Sequence, residues 1–307
     1  MAKVPGSAAS PIMATLMSDR RPVRHLVRLA ALLLGPGRAH RGDLWPGLAI
    51  DRLSGRVRWR GRDLLTLSRF ADIVPPGMAR IAIVGSGPSL ARQHPERLES
   101  GATILLNGAA SLAARLPPLA VAVEDERFVM RHAPMLASLP REVPLMLSAA
   151  AMRALAEHNA DLLRGRRVAL IDNLRRPLGA ARRDLDDPAL DGILARGANG
   201  AALSRDPDRG VIITGTVAFT ALQVALAAGP AAILLAGIDL GNADAQPRFY
   251  EEAGKAAPSG LVKGMPRILA GFALAREVAG REGVRLSCAS PVSALLGLGY
   301  DRDGVLD

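Results

Sequence analysis

A chain of 307 residues with 49% hydrophobic content can bury a large core, which excludes a disordered polypeptide. The formal charge of +10 is carried almost wholly by arginine, with lysine only at Lys3, Lys255 and Lys263, so the surface favours phosphate-bearing partners. Aromatic content of 3% is too low for base-stacking platforms and sets nucleic acid aside, and the single Cys288 excludes a disulfide framework and a cysteine zinc site and suits a reducing compartment.

In chain order, residues 1–21 hold no continuous apolar core, so no signal sequence is expected, and Leu29–Leu34 is too short to span a bilayer. The stretch from Arg20 to Leu34 has leucines at helical spacing and arginines at its amino end. It fits a helix lying on an anionic membrane surface, and equally one packed on the main domain. Arg56-Val57-Arg58-Trp59-Arg60 alternates like an edge strand, and Pro75-Pro76-Gly77 closes a basic amino-terminal extension, residues 1–78. The rest, 79–307, is expected to be one domain.

That domain opens on Ile81-Ala82-Ile83-Val84, a strand buried on both faces, followed by Gly85-Ser86-Gly87-Pro88-Ser89 and a helix near 88–98. Glycines let the backbone approach a ligand, and amides at a helix start favour an anion, so the turn reads as a phosphate cradle; an ordinary tight turn explains the residues equally well. The third glycine of the dinucleotide fingerprint is missing, since Leu90 stands there, and no P-loop lysine follows. Further strands are expected at 102–106, 118–123, 143–148, 168–172, 231–236 and 285–288, with a short helix at 111–115 and longer helices at 216–228 and 261–282. Gly229-Pro230 splits the apolar run 217–238 into a helix and a strand, which argues against a transmembrane span. The Gly-, Asp- and Arg-rich stretch at about 176–210 reads as a lid-like surface excursion. The alternation implies an α/β fold: a Rossmann-like, mainly parallel sheet with helices on both faces.

In such sheets ligands sit beyond the carboxyl ends of the strands, and Ser86, Ser89, Asn107, Glu124, Asp125, Asp239 and Asn242 all follow a strand end. Each alone could be a cap or turn former. Glu124-Asp125-Glu126 could hold a metal, but a solvated charge run is the commoner explanation, and no metal or cofactor is expected.

The motifs Gly85-Ser86-Gly87-Pro88-Ser89-Leu90, Asn107, Thr214-Gly215-Thr216-Val217-Ala218 and Ala236-Gly237-Ile238-Asp239 resemble those of bacterial sialyltransferases that use CMP-sialic acid, whose first motif is typically Gly-Asn-Gly-Pro-Ser-Leu. A closer resemblance is to the third-Kdo type of lipopolysaccharide-core Kdo transferase. It adds Leu106-Asn107-Gly108-Ala109, Asp125-Glu126-Arg127-Phe128, Phe219 with Ala221-Leu222-Gln223, Arg248-Phe249-Tyr250-Glu251-Glu252 and Pro258-Ser259, and it covers roughly 81–297. The resemblance implies transfer of Kdo or a related acidic sugar from its CMP form to a lipid-linked glycan, by a protein on the cytoplasmic side and peripheral on the inner membrane.

On that resemblance Gly85, Ser86, Gly87, Pro88, Ser89, Asn107, Gly108, Thr214, Gly215, Thr216, Gly237 and Asp239 hold the donor, while Arg248 and Tyr250 stabilise charge on the departing phosphate. The sialyltransferases place a base histidine after the Gly-Ile-Asp strand, yet no histidine follows His158 here. A carboxylate must replace it: Asp125 first, then Asp239 and Glu252. Two other readings stay open, a pterin-pyrophosphokinase-like transferase needing magnesium and a triphosphate, and a catalytically degenerate scaffold in lipopolysaccharide assembly.

Overall fold

Short runs of branched and small apolar residues, each ended by a turn former, build the central layer. The structure is a computed structural model and describes residues 26–27, 29–30, 32–33, 47–240 and 261–307. A three-stranded antiparallel meander comes first: β1 (Leu48–Ile50), β2 (Arg56–Trp59) and β3 (Arg62–Thr66), in the order β1-β2-β3. The arginine-rich strand expected at an edge is therefore the middle one, and its alternation buries Val57 while Arg56 and Arg58 stay exposed.

The main chain of elements is β4 (Arg80–Val84), β5 (Thr103–Leu106), β6 (Ala120–Val123), α1 (Glu126–Ala137), β7 (Leu145–Ser148), α2 (Ala149–Asn159), β8 (Val168–Ile171), β9 (Leu194–Arg196), β10 (Ala202–Ser204), α3 (Val217–Ala227), β11 (Ala232–Ala236), α4 (Leu261–Arg281), β12 (Arg285–Cys288) and β13 (Asp301–Arg302). Eight of these strands form one sheet, β13-β12-β11-β4-β5-β6-β7-β8, and every pairing in it is parallel. The chain runs outward from β4 to β8, then returns to β11 on the other side of β4. That reversal puts a topological switch point between β4 and β11.

Helices cover both faces. Ile81, Ile83, Ile104, Leu106, Ala120 and Ala122 pack with α3 and α4, whereas Ala82, Val84, Leu105, Val121 and Val123 pack with α1 and α2. Helix α3 is buried along Val217–Leu226, as an apolar helix inside a large core must be. It meets α4 through Phe219 and Phe272, whose rings stand 5.5 Å apart edge to face, and Gly271 leaves room for Phe219. No described helix is long and apolar enough to cross a membrane.

Three expectations change. No α-helix forms at 88–98: Pro88–Arg92 and Pro95–Arg97 are short 3-10 turns, each opened by a proline. The excursion at 176–210 contains the β9–β10 hairpin and contributes Leu190, Ile193 and Leu203 to the core, so this part is anchored rather than peripheral. Gln223 of α3 holds its end, accepting from the Ser204 and Ile212 amides at 2.8 and 2.9 Å. The extension joins the main body from the meander onward: Phe70, Ile73 and Val74 sit in the core, and Arg52 pairs with Asp172 at 2.5 Å.

Candidate functional site

The expected site residues sort by what occupies the carboxyl edge of β11-β4-β5-β6. At β4 the Gly85–Ser89 turn is closed by the protein itself. Gly87 donates its amide to the Gly237 carbonyl at 2.7 Å, and a side chain at Gly87 would meet Asp239 Oδ2 at 2.6 Å. The glycines thus permit approach of the neighbouring turn. Asp239, buried, accepts from the Ser89 amide at 2.9 Å, the Ser89 hydroxyl at 2.6 Å and the Ser290 hydroxyl at 2.5 Å. Ser89 and Asp239 therefore tie together the tips of β4 and β11, and the following 3-10 turn is too short to offer a helix terminus to an anion. Ser86 and Pro88 remain half-buried beside this closed turn.

Asp125 is the amino-terminal cap of α1, its Oδ1 accepting from the Arg127 amide at 2.9 Å. Its carboxylate is engaged in that turn. Arg248, Tyr250 and Glu252, with Asn242, Pro258 and Ser259, lie outside the described residues.

The adjoining strands differ. Asn107, the first residue past β5, takes a left-handed backbone with φ of 47°, which asparagine tolerates, and Gly108 follows it, its carbonyl accepting from Ser111. Because α3 runs back toward the amino ends of the strands, its own amino terminus lies at this same edge. Thr216 caps it, accepting from the Ala218 amide at 3.3 Å, after the Thr214-Gly215 turn, where Gly215 has φ of 108°. Arg267 of α4 reaches over that turn: Nε donates to the Thr214 carbonyl at 2.9 Å, and Nη2 would stand 3.2 Å from a side chain at Gly215.

At this edge Asn107 Oδ1, Glu124 Oε1, Thr214 Oγ1 and Thr220 Oγ1 are buried without a hydrogen-bond partner among the described residues. Orphaned buried polar atoms cost about 1–3 kcal/mol each, so a group of them marks a place completed by something else. Glu124 is the outlier in charge. Desolvation pushes its carboxyl up to about 7, the Thr220 hydroxyl beside it opposes this in part, and the Asp125 carboxylate raises it further. The Glu124 residue as a whole is half-buried, while its Oε1 is sealed from solvent. Thr220 is near enough to favour the ionised form although no hydrogen bond of proper geometry joins the two.

No family model, curated protein or solved structure matches the chain. The site must be read from its own chemistry. Among the described residues no group of histidine, cysteine or carboxylate side chains is arranged to hold a metal. Among the described residues the carboxyl edge carries instead the raised Glu124 carboxyl, three orphaned polar side chains and the Arg267 guanidinium over the Thr214-Gly215 turn. The sequence points to Asn107 and Thr214 but gives no role to Thr220, although Val217–Phe219 and Ala221–Gln223 on either side of it belong to the resemblance, or to Arg267, which stands in a helix with no motif around it. Glu124 figured only as a strand-end residue in a charged run.

Proposed function

We propose that the chain is a glycosyltransferase of Rossmann-like fold that moves Kdo or a related acidic sugar from a CMP donor to a hydroxyl of a lipid-linked core oligosaccharide. The observation that carries this reading is the set of buried polar atoms on Asn107, Glu124, Thr214 and Thr220 that find no partner among the described residues, at one edge of a parallel sheet. A sugar nucleotide carries hydroxyls that can donate to the Asn107 and Glu124 oxygens and anionic oxygens that can accept from the threonine hydroxyls. Arg267, exposed over the Thr214-Gly215 turn, suits the phosphate of the donor or its carboxylate, and the amino terminus of α3 adds a favourable dipole. Gly85, Ser86, Gly87, Gly237 and Asp239 act as the frame that fixes the β4 and β11 tips, and Asn107 and Gly108 border the donor.

A peripheral position on the inner face of the membrane accords with the outer surface. Leu26, Leu29, Leu32, Leu33 and Leu53 are exposed, as are Arg56, Arg58 and Arg60. Incubating purified protein with CMP-Kdo and a defined lipid acceptor tests the reading, alongside thermal shifts with CMP, CDP, UDP and ATP. The expected result is glycosylated lipid and stabilisation by CMP ahead of ATP. Stabilisation by ATP with magnesium, and none by CMP, would overturn it.

A further inference from the structure

We propose that Glu124 is the general base that takes the proton from the acceptor hydroxyl, with Thr220 positioning its carboxyl. The inference rests on the glycosyl-transfer reading above. Its first support is which way the side chains of β6 face. Ala120 and Ala122 face α3, and Val121 and Val123 face α1 and α2, so Glu124 continues the α3 face while Asp125 falls on the other and caps α1. The two neighbours of one acidic run are thus assigned to different work.

Its second support is that the Glu124 backbone is fixed while its Oε1 is left without a partner. The Ser148 hydroxyl at the end of β7 donates to the Glu124 carbonyl at 2.6 Å, whereas Oε1 is buried with no hydrogen-bond partner among the described residues. A carboxyl wanted only for stability would have been paired or exchanged for a neutral residue. The groups acting on it are Thr220 from α3 and Asp125 from its own turn; across the strand edge Arg153 of α2 pairs with Glu126. Thr220 is wholly buried, one turn into α3, and its hydroxyl has no other partner among the described residues.

The acceptor oxygen forms a bond to the anomeric carbon as the bond from that carbon to the phosphate oxygen breaks, and the electron pair leaves on CMP. The acceptor proton goes to Glu124, which returns it to solvent. Burial suits the role, because a base is most useful when its proton affinity lies near the working pH.

Glu124→Gln keeps the shape and removes the base. In the full chain with CMP-Kdo and lipid acceptor, kcat should fall about 10²–10⁴-fold while CMP affinity, read by calorimetry, stays within about twofold. Retained CMP binding certifies the fold of the variant. Wild-type kcat/KM should rise through a limb near pH 7 that the residual activity of Glu124→Gln lacks. Thr220→Val should lower kcat by a smaller factor and shift that limb upward, because the hydroxyl that favours ionisation is gone. Wild-type turnover and an intact limb in Glu124→Gln would overturn the inference, as would Asp125→Asn proving the inactive variant of the two. Failure of the wild type to bind CMP or transfer sugar would instead sink the glycosyl-transfer reading, and this assignment with it.

Discussion

Glu124→Gln should also alter stability, whatever the protein does. The carboxyl ionises at about 7 in the folded chain and near 4.5 when unfolded, because burial disfavours the charged form. Between those values the unfolded chain has released a proton that the folded chain keeps, so raising pH favours unfolding, and stability falls across that window. The contribution is fully present below pH 4.5 and gone above about pH 7. At about 1.4 kcal/mol per tenfold, the gap amounts to about 3 kcal/mol. Glutamine cannot titrate, so urea unfolding of both proteins at pH 4.5, 5.5, 6.5 and 7.5 isolates the group. The variant should gain on the wild type progressively with pH, by about 3 kcal/mol in total. A difference between the two proteins that stays flat over this range would refute the argument that Glu124 is sealed from solvent.

Three further outcomes follow from the same geometry. Gly87→Ala places a methyl 2.6 Å from Asp239 Oδ2 and 2.7 Å from the Gly237 carbonyl, and should cost about 1–3 kcal/mol in chemical denaturation. Asp239→Asn, which leaves one acceptor oxygen where the Ser89 amide and two serine hydroxyls converge, should cost about 1–3 kcal/mol by the same measurement, with or without CMP. Arg267→Ala should leave the melting temperature near that of wild type, since the side chain is exposed, while weakening CMP binding about tenfold in calorimetry; unchanged affinity would remove Arg267 from the donor site.

The strands were legible because a parallel sheet covered on both faces needs uninterrupted apolar runs, and Ile81–Val84 or Ala232–Ala236 can hardly be anything else. The turn after β4 was legible as a turn but not in its purpose. Glycine at 85 and 87 reports that something comes close, and the sequence does not say whether that is a ligand or the Gly237–Asp239 segment 150 positions away, to which Ser89 is bonded. Helix α1 was missed because it starts inside the charged Glu124–Arg127 run and carries Pro134, so its opening looked like the end of a strand. That miss has a direct bearing on the choice of base. In β6 all four residues are small, apolar and buried, so alternation within the strand cannot tell one face from the other. Only the helices packed on each side separate Glu124 from Asp125. Once α1 is seen to begin at residue 126, Asp125 becomes its cap by position, and the carboxyl left to face α3 is Glu124.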